Sequence, residues 1–308
     1  KGIAFHFEVV GDLLTNDLLD FLETVPEGMF QFELGIQTTD PSSQNKIERK
    51  QNNKKLFSSI ERLINANLIH IHCDLIFGLP GETLDDILKS FEEVCKLRPH
   101  ELQLGFLKFL PGAPIKNMIN DYGYKYESAP PYELISNNHL SALQLNYLKK
   151  FEDVFDMFYN SKRFRFTVQQ LLKTLSAVKL FNSILEHMEL NKIFNQSHAL
   201  NTQYQIIHDT FSLGSDATAL DILRLDYLYG QRVYHLPPFL EIDGMRQKTW
   251  AGDRKTPLVP FRNTIRIEEG DAKVSPSLSL QYCAVVHAKS TAGYINPPSL
   301  NWVPELIK

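Results

Sequence analysis

The chain has 308 residues, 43% of them hydrophobic, enough for one large domain or two ordinary ones with a substantial core. A formal net charge of -4 argues against nucleic acid or an anionic lipid surface as a global partner, and no apolar run is long enough to span a bilayer. The three cysteines, Cys73, Cys95 and Cys283, are too scattered for a metal-ligand spacing or a disulfide framework, which points to a reducing cytoplasm.

No signal peptide opens the chain. It enters "IAFHFEVV" almost at once, as if cut from something longer. Four runs read as strands: Ile3–Val10, Phe30–Gln37, Ile69–Phe77 and Leu102–Phe109. Helical patterns lie between them. Phe57, Ile60, Leu63 and Ile64 make one stripe, and Thr83 can cap a helix that runs to about Leu97 with Asp85 and Asp86 in its first turn. This rhythm predicts parallel βα units and an α/β fold over residues 1–122.

Residues 123–139 read as a polar connector interrupted by paired prolines, and residues 140–240 as a mostly helical second domain. Leu140, Leu143, Leu148, Phe151, Phe155 and Phe158 fall near helical spacing. So do Leu171, Leu172, Leu175, Val178, Ile184 and Leu185. A further helix is expected in "SDATALDILRLDYLYG", with Ser215 as its cap and Gly230 as its stop. Over 241–308 six prolines break any helical period, so an irregular tail or extension is expected there.

Each strand in the first region has a polar side as well as an apolar one. His6 and Glu8 share a face, as do Glu33, Gly35 and Gln37, then His70, His72, Asp74, Ile76 and Gly78, then Glu101, Gln103 and Gly105. Strands covered by helices on both faces read as continuous apolar runs instead. A barrel or part-barrel accommodates the pattern, because its lumen can hold a polar ligand while its outside packs against helices. Gly35, Gly78 and Gly105 recur near strand ends, where a bare Cα leaves room for a ligand to approach the backbone.

The stretches "FELGIQTTDPSSQNKIERK", "HCDLIFGLPGET" and "LQLGFLKFLPGAP" resemble strands four, five and six of the radical SAM superfamily, in its coproporphyrinogen-oxidase-like and cobalamin-associated branches. "FHFEVVGDLL" resembles strand three. The resemblance implies the C-terminal part of a partial (β/α)6 TIM-like barrel, followed by a helical domain of unknown function. It implies that Gln37 and Arg49 bind the methionine part of S-adenosylmethionine and that Asp74 binds its ribose. Ile76 and the turn containing Leu110 would form a bed for adenine, and Glu33, Gly35 and Gly78 would line the same lumen. It also implies a 4Fe-4S cluster. The cysteine triplet for that cluster and a Gly-Gly-Glu motif would lie upstream of Lys1, leaving this fragment inactive alone. Cobalamin is a further implied cofactor of the parent protein, with methyl transfer as one reaction, and a small molecule is the expected substrate. Two rivals stand beside this: a βα-barrel enzyme without radical chemistry, and a non-enzymatic binding module. "KRFRFT" at 162–167 reads as a solvated helix start, and His70 with His72 as ordinary lumen histidines.

Overall fold

The computed structural model of the chain describes residues 3–194, 196–230, 235–242, 248–249, 257–268, 271–286 and 299–304. It divides into two compact units, residues 1–155 with 176–178 and residues 156–175 with 179–308.

In the first unit, β1 (Phe5–Glu8), β2 (Phe30–Gln37), β3 (His70–Phe77) and β4 (Glu101–Phe106) pair in chain order, all parallel. The crossovers are α1 (Asn16–Leu22), α2 (Pro41–Lys46) with α3 (Asn53–Ala66), and α4 (Leu84–Lys96). Parallel strands in sequential order with helical crossovers form the arc of a partial TIM-like barrel. Local chemistry starts each helix. Thr15, Asp40 and Asn52 accept from the amides of Leu18, Ser43 and Lys55, and Thr83 closes a capping box with Asp86.

The apolar sides of the strands go where alternation predicts. Leu34, Ile36, Ile71, Cys73 and Leu102 are each 0% exposed, packed on the helical side with Ile60, Leu63, Phe91 and Val94. Each such Leu, Ile or Phe contributes roughly 1.5–3 kcal/mol through burial. β1 differs. It ends the sheet, and Phe5 and Phe7 stay 43% and 46% exposed beside a ladder that includes Phe30 and Phe32.

The connector is more ordered than its composition suggests. After α5 (Ile119–Tyr122), β5 (Lys125–Tyr126) and β6 (Leu134–Ser136) form an antiparallel pair, anchored by buried Tyr124 and Leu134. The next helix, α6 (Ala142–Phe155), belongs to the first unit. Leu143 is 82% exposed rather than in its stripe, because Leu140 and Leu145 take the inward positions of that turn.

Helices continue through α7 (Arg165–Leu171), α8 (Ala177–Leu190), α9 (Leu200–Thr210) and α10 (Ala217–Gly230). The apolar stripe expected from Leu171 to Leu185 is broken by the turn between α7 and α8, and Leu180, Phe181 and Met188 are its buried members after the break. Asp216, one residue past Ser215, caps α10 by accepting from Thr218 and Ala219. Of the two readings of 241–308, an irregular tail or an extension, the described residues favour a folded extension. Beyond the short β7 (Lys248–Thr249), the strands β8 (Pro257–Glu268), β9 (Asp271–Val286) and β10 (Ser299–Pro304) form an antiparallel sheet. Its period-two signal was present, with Phe261, Asn263 and Ile265 buried and Arg262 and Arg266 exposed. Prolines in the surrounding text masked it.

Candidate functional site

Residues on the non-helical face of the first unit meet in rows set by strand register. One row is Glu8, Glu33, His72 and Glu101, with each residue directly opposite the next. The next row toward the strand C-terminal ends is Gly35, Asp74 and Gln103, and beyond it Ile76 stands opposite Gly105. The polar faces inferred from alternation are therefore one continuous surface.

Gln37 ends β2 at a register shift with a φ of 67°, a left-handed conformation uncommon outside glycine. The turn folds its carboxamide back over Gly35. A Cβ on Gly35 would lie 2.4 Å from Gln37 Nε2 and 3.8 Å from Arg49 Nη2. The space at Gly35 is thus needed by Gln37 itself. Gln37 Oε1 is buried and makes no hydrogen bond, a condition rare for an amide oxygen inside a fold.

Arg49 follows α2, and its Nη2 donates to the Gly35 carbonyl. Its Nε donates to Gln51 Oε1 at 2.8 Å, while Gln51 in turn donates to Asn53 at 2.9 Å. Asn53 and Gln44 donate to the carbonyls of Thr39 and Thr38, which fixes the chain just past Gln37. Burial lowers the proton affinity of Arg49, and Asp12 partly restores it. No carboxylate lies within ion-pair distance of this guanidinium among the described residues. A half-buried cation without a carboxylate suits an anionic ligand group.

Asp74 sits in the neighbouring strand with its Oδ1 buried and 3.1 Å from His72 Nε2. The two atoms are at ion-pair distance without hydrogen-bond alignment, and neither has another partner. Glu33 is otherwise engaged, accepting from His6 at 3.0 Å, and His70 lies 3.6 Å from Glu101.

One sequence expectation changes, at Gly78, and Leu110 is left as an exposed residue of the turn after β4. Gly78 does not open space for a ligand: it has a φ of +96°, and a Cβ there would lie 2.2 Å from Leu134. Glycine is required at that position by backbone conformation and by the connector packed on it. Leu110 lies four residues past β4, 52% exposed in a turn, with no hydrogen bond tying it to the other positions. Gly105 is the more open glycine, with only Leu75 O at 3.4 Å from a Cβ built there. Gln51 and Asn53 escaped the sequence argument. Their signal was the uncharged polar run "QNN" that follows Arg49 and Lys50.

Glu82, in the turn after β3, is 1% exposed and accepts from the Leu79 amide at 3.2 Å. Burial pushes its carboxyl up to about 7. It is a tether for the turn. In "KRFRFT" the aromatic members Phe164 and Phe166 are buried, and Arg165 begins α7. Among the described residues no group of three His, Cys, Asp or Glu is placed to hold a metal ion, and no helix is long and apolar enough to cross a membrane.

A parallel βα sheet in sequential order, with helices on one side and a polar face on the other, is the architecture of a part-barrel. The radical SAM superfamily profile matches residues 1–94, and the profile of a protein of unknown function (DUF4080) matches residues 120–255. Residues 1–94 are thus similar to the radical SAM superfamily, and the region that follows is similar to DUF4080. Similar proteins include the heme chaperone HemW of Buchnera aphidicola subsp. Acyrthosiphon pisum (strain APS), 31% identical over 29% of this chain and 23% of that protein. HemW of Bacillus subtilis (strain 168) is 32% identical over 30% of this chain and 24% of its own. The oxygen-independent coproporphyrinogen III oxidase of Thermostichus vulcanus is 26% identical over 39% of this chain and 37% of that enzyme. Among solved structures, coproporphyrinogen III oxidase (HemN) from Escherichia coli aligns over 40% of this chain and 33% of its own, at 20% identity and a TM-score of 0.32. The chain spans about a quarter of the length of the HemW proteins it matches.

Proposed function

We propose that the first unit binds S-adenosylmethionine on the polar face of its sheet and forms part of the active site of a radical SAM enzyme. The observation that carries this is the pair of buried oxygens without a hydrogen bond, Gln37 Oε1 and Asp74 Oδ1, on adjacent strands, together with the Arg49 guanidinium, which has no carboxylate at ion-pair distance among the described residues. A ligand carrying a carboxylate, an amino group and a vicinal diol complements that set. Asp74 accepts from the ribose hydroxyls, Arg49 holds the carboxylate, and Gln37 accepts from the amino group. Ile76, opposite the open Gly105, offers an apolar surface for the base.

S-adenosylmethionine bound beside a reduced iron–sulfur cluster supplies radical chemistry. The cysteines of this chain do not fit such a cluster. Cys73, Cys95 and Cys283 are all buried, and burial pushes the Cys73 thiol well above its usual range, which keeps it protonated. The cluster ligands are therefore assigned to residues outside this chain. Relatives of the coproporphyrinogen-oxidase type lend no support to cobalamin, so we take S-adenosylmethionine as the ligand of this sheet without it.

Calorimetric titration with S-adenosylmethionine and with S-adenosylhomocysteine tests the assignment. Both should bind the wild-type protein, and Arg49→Gln and Asp74→Asn should each weaken binding by about tenfold or more. Unchanged affinity in both variants would remove the site.

A further inference from the structure

We propose that His72 is a positioning residue for Asp74, and that its protonated imidazole orders the diol-binding carboxylate, making ligand affinity depend on pH. This rests on the assignment of S-adenosylmethionine to the sheet. The two residues are two apart on β3, so their side chains leave the same face. Their facing atoms are 3.1 Å apart and buried, and His72 as a whole is only 9% exposed.

The surroundings of His72 explain why a proton would reside there. Asp74 approaches it on its own strand. Glu33 stands directly opposite on β2 and Glu101 directly opposite on β4. Beyond them, His6 bonds to Glu33, and His70, also on β3, lies near Glu101. The Arg49 guanidinium of the same site is engaged with the Gly35 carbonyl. One imidazole thus faces three carboxylates. Contact with Asp74 is the largest influence and raises its proton affinity, burial opposes the rise, and Glu101 and Glu33 add to it.

The consequence is directional. An imidazolium restricts the rotamer of the Asp74 carboxylate and leaves lone pairs on both oxygens to accept from hydroxyls. Because the folded-state proton affinity is raised, the contact is complete at low pH and is lost as pH rises through the elevated histidine range. Ligand affinity should fall over the same interval. Sequence alone gave His72 the role of an ordinary lumen histidine; the register and the 3.1 Å approach distinguish it from His6 and His70.

Calorimetric titrations from about pH 6 to about pH 8.5 make the test, using S-adenosylmethionine and S-adenosylhomocysteine. The wild type should lose about three- to tenfold in affinity for both ligands across that range. His72→Asn, which retains a neutral N–H donor, should bind with a flat profile at intermediate affinity. His72→Leu should be flat and about tenfold weaker than the wild type at low pH. In the absence of ligand, the His72 imidazole followed by NMR should titrate at lower pH in Asp74→Asn. A flat wild-type profile, or a His72→Leu variant as tight as the wild type, would overturn the proposal. So would an affinity for S-adenosylmethionine that rises with pH, since relief of charge repulsion with the sulfonium would then account for it. Failure of the wild type to bind either ligand at any pH would remove the cofactor assignment itself, a result distinct from binding without pH dependence.

Discussion

Asp74 in the parallel sheet and Asp221 in the second unit are both carboxylates inside a fold, and their surroundings treat them differently. Asp221 sits on α10 with Oδ1 on Arg224 at 2.7 Å, while its Oδ2 accepts from the Arg262 and Asn263 amides and from the Asn263 side chain, each at 2.9 Å. Arg224 spends its other donors on the carbonyls of Leu240 and Glu241. Every strong group in that cluster has its partner, and the result is a staple between α10 and β8. Asp74 and Gln37 each present a buried oxygen with no hydrogen bond, beside a guanidinium with no carboxylate. A satisfied network fixes structure, whereas an unsatisfied one leaves acceptors free for the ligand proposed above.

The largest effect should come from breaking the staple. Asp221→Ala leaves Arg224 buried and unpaired and should cost about 3–5 kcal/mol, read as a lower denaturant midpoint. Asp74→Asn should change stability by less than about 1 kcal/mol while weakening ligand binding. Equal destabilisation by the two would erase the contrast.

Each unit also holds one carboxyl that burial pushes up to about 7, Glu82 in the first and Asp226 in the second. Asp226 accepts from the Phe166 and Thr167 amides at the start of α7. For both groups the folded protein holds the proton more tightly than the unfolded chain. Their contribution is greatest below the ordinary carboxylate range and is lost as pH climbs toward about 7. The wild type should therefore lose on the order of 1–3 kcal/mol between about pH 4.5 and about pH 7.5 from each group. Glu82→Gln and Asp226→Asn should each flatten that decline in chemical denaturation. A steeper decline in either variant would contradict the sign.

The glycines sharpen the comparison within the first unit. Gly78→Ala meets both a φ of +96° and Leu134, and should cost about 1–3 kcal/mol of stability. Gly35→Ala meets the movable end of Gln37 instead. It should cost about 1 kcal/mol or less while reducing ligand affinity about tenfold, because the displaced carboxamide belongs to the proposed site. The reverse ranking of stability losses would show that Gly35 serves packing rather than the ligand.

Much of the first unit was legible because its information is local. Alternation along β2 and β3 put Glu33, Gly35 and Asp74 on one face, and Thr83 with Asp86 marked the start of α4. The parallel pairing of these strands in chain order matches the strand sequence that the resemblance implied. What was illegible depends on contacts distant in sequence. Leu134 fills the space beside Gly78 from 56 positions away along the chain, so the glycine looked like an opening when it is a packing requirement. The sheet of β8 and β9 was missed because its prolines outweighed a correct period-two pattern, although Asn263 at a buried position already called for a polar partner such as Asp221. Gln37, Arg49 and Asp74 were named from resemblance, while the geometry supplied the unpartnered atoms that give those residues a reason to bind.

The smallest change in folding stability belongs to the edge of the sheet, where the contrast is between buried and exposed members of one aromatic ladder. Phe32 is 6% exposed and packs with the helices, whereas Phe7, ring centroids 6.1 Å away, is 46% exposed on the terminal strand. Much of the Phe7 ring remains in water after folding, so Phe7→Thr should alter stability by less than about 1 kcal/mol, and threonine keeps the β propensity of the strand. Its effect should appear in association instead. β1 leaves one edge of its backbone unpaired within the sheet and adds exposed phenylalanines beside it, a combination that favours pairing between copies. Light scattering of Phe7→Thr at rising concentration should show less self-association than the wild type, with unchanged affinity for S-adenosylmethionine. Unaltered association would mean that the ladder is shielded in solution, and a loss of ligand affinity would tie β1 to the site more closely than its register with β2 implies.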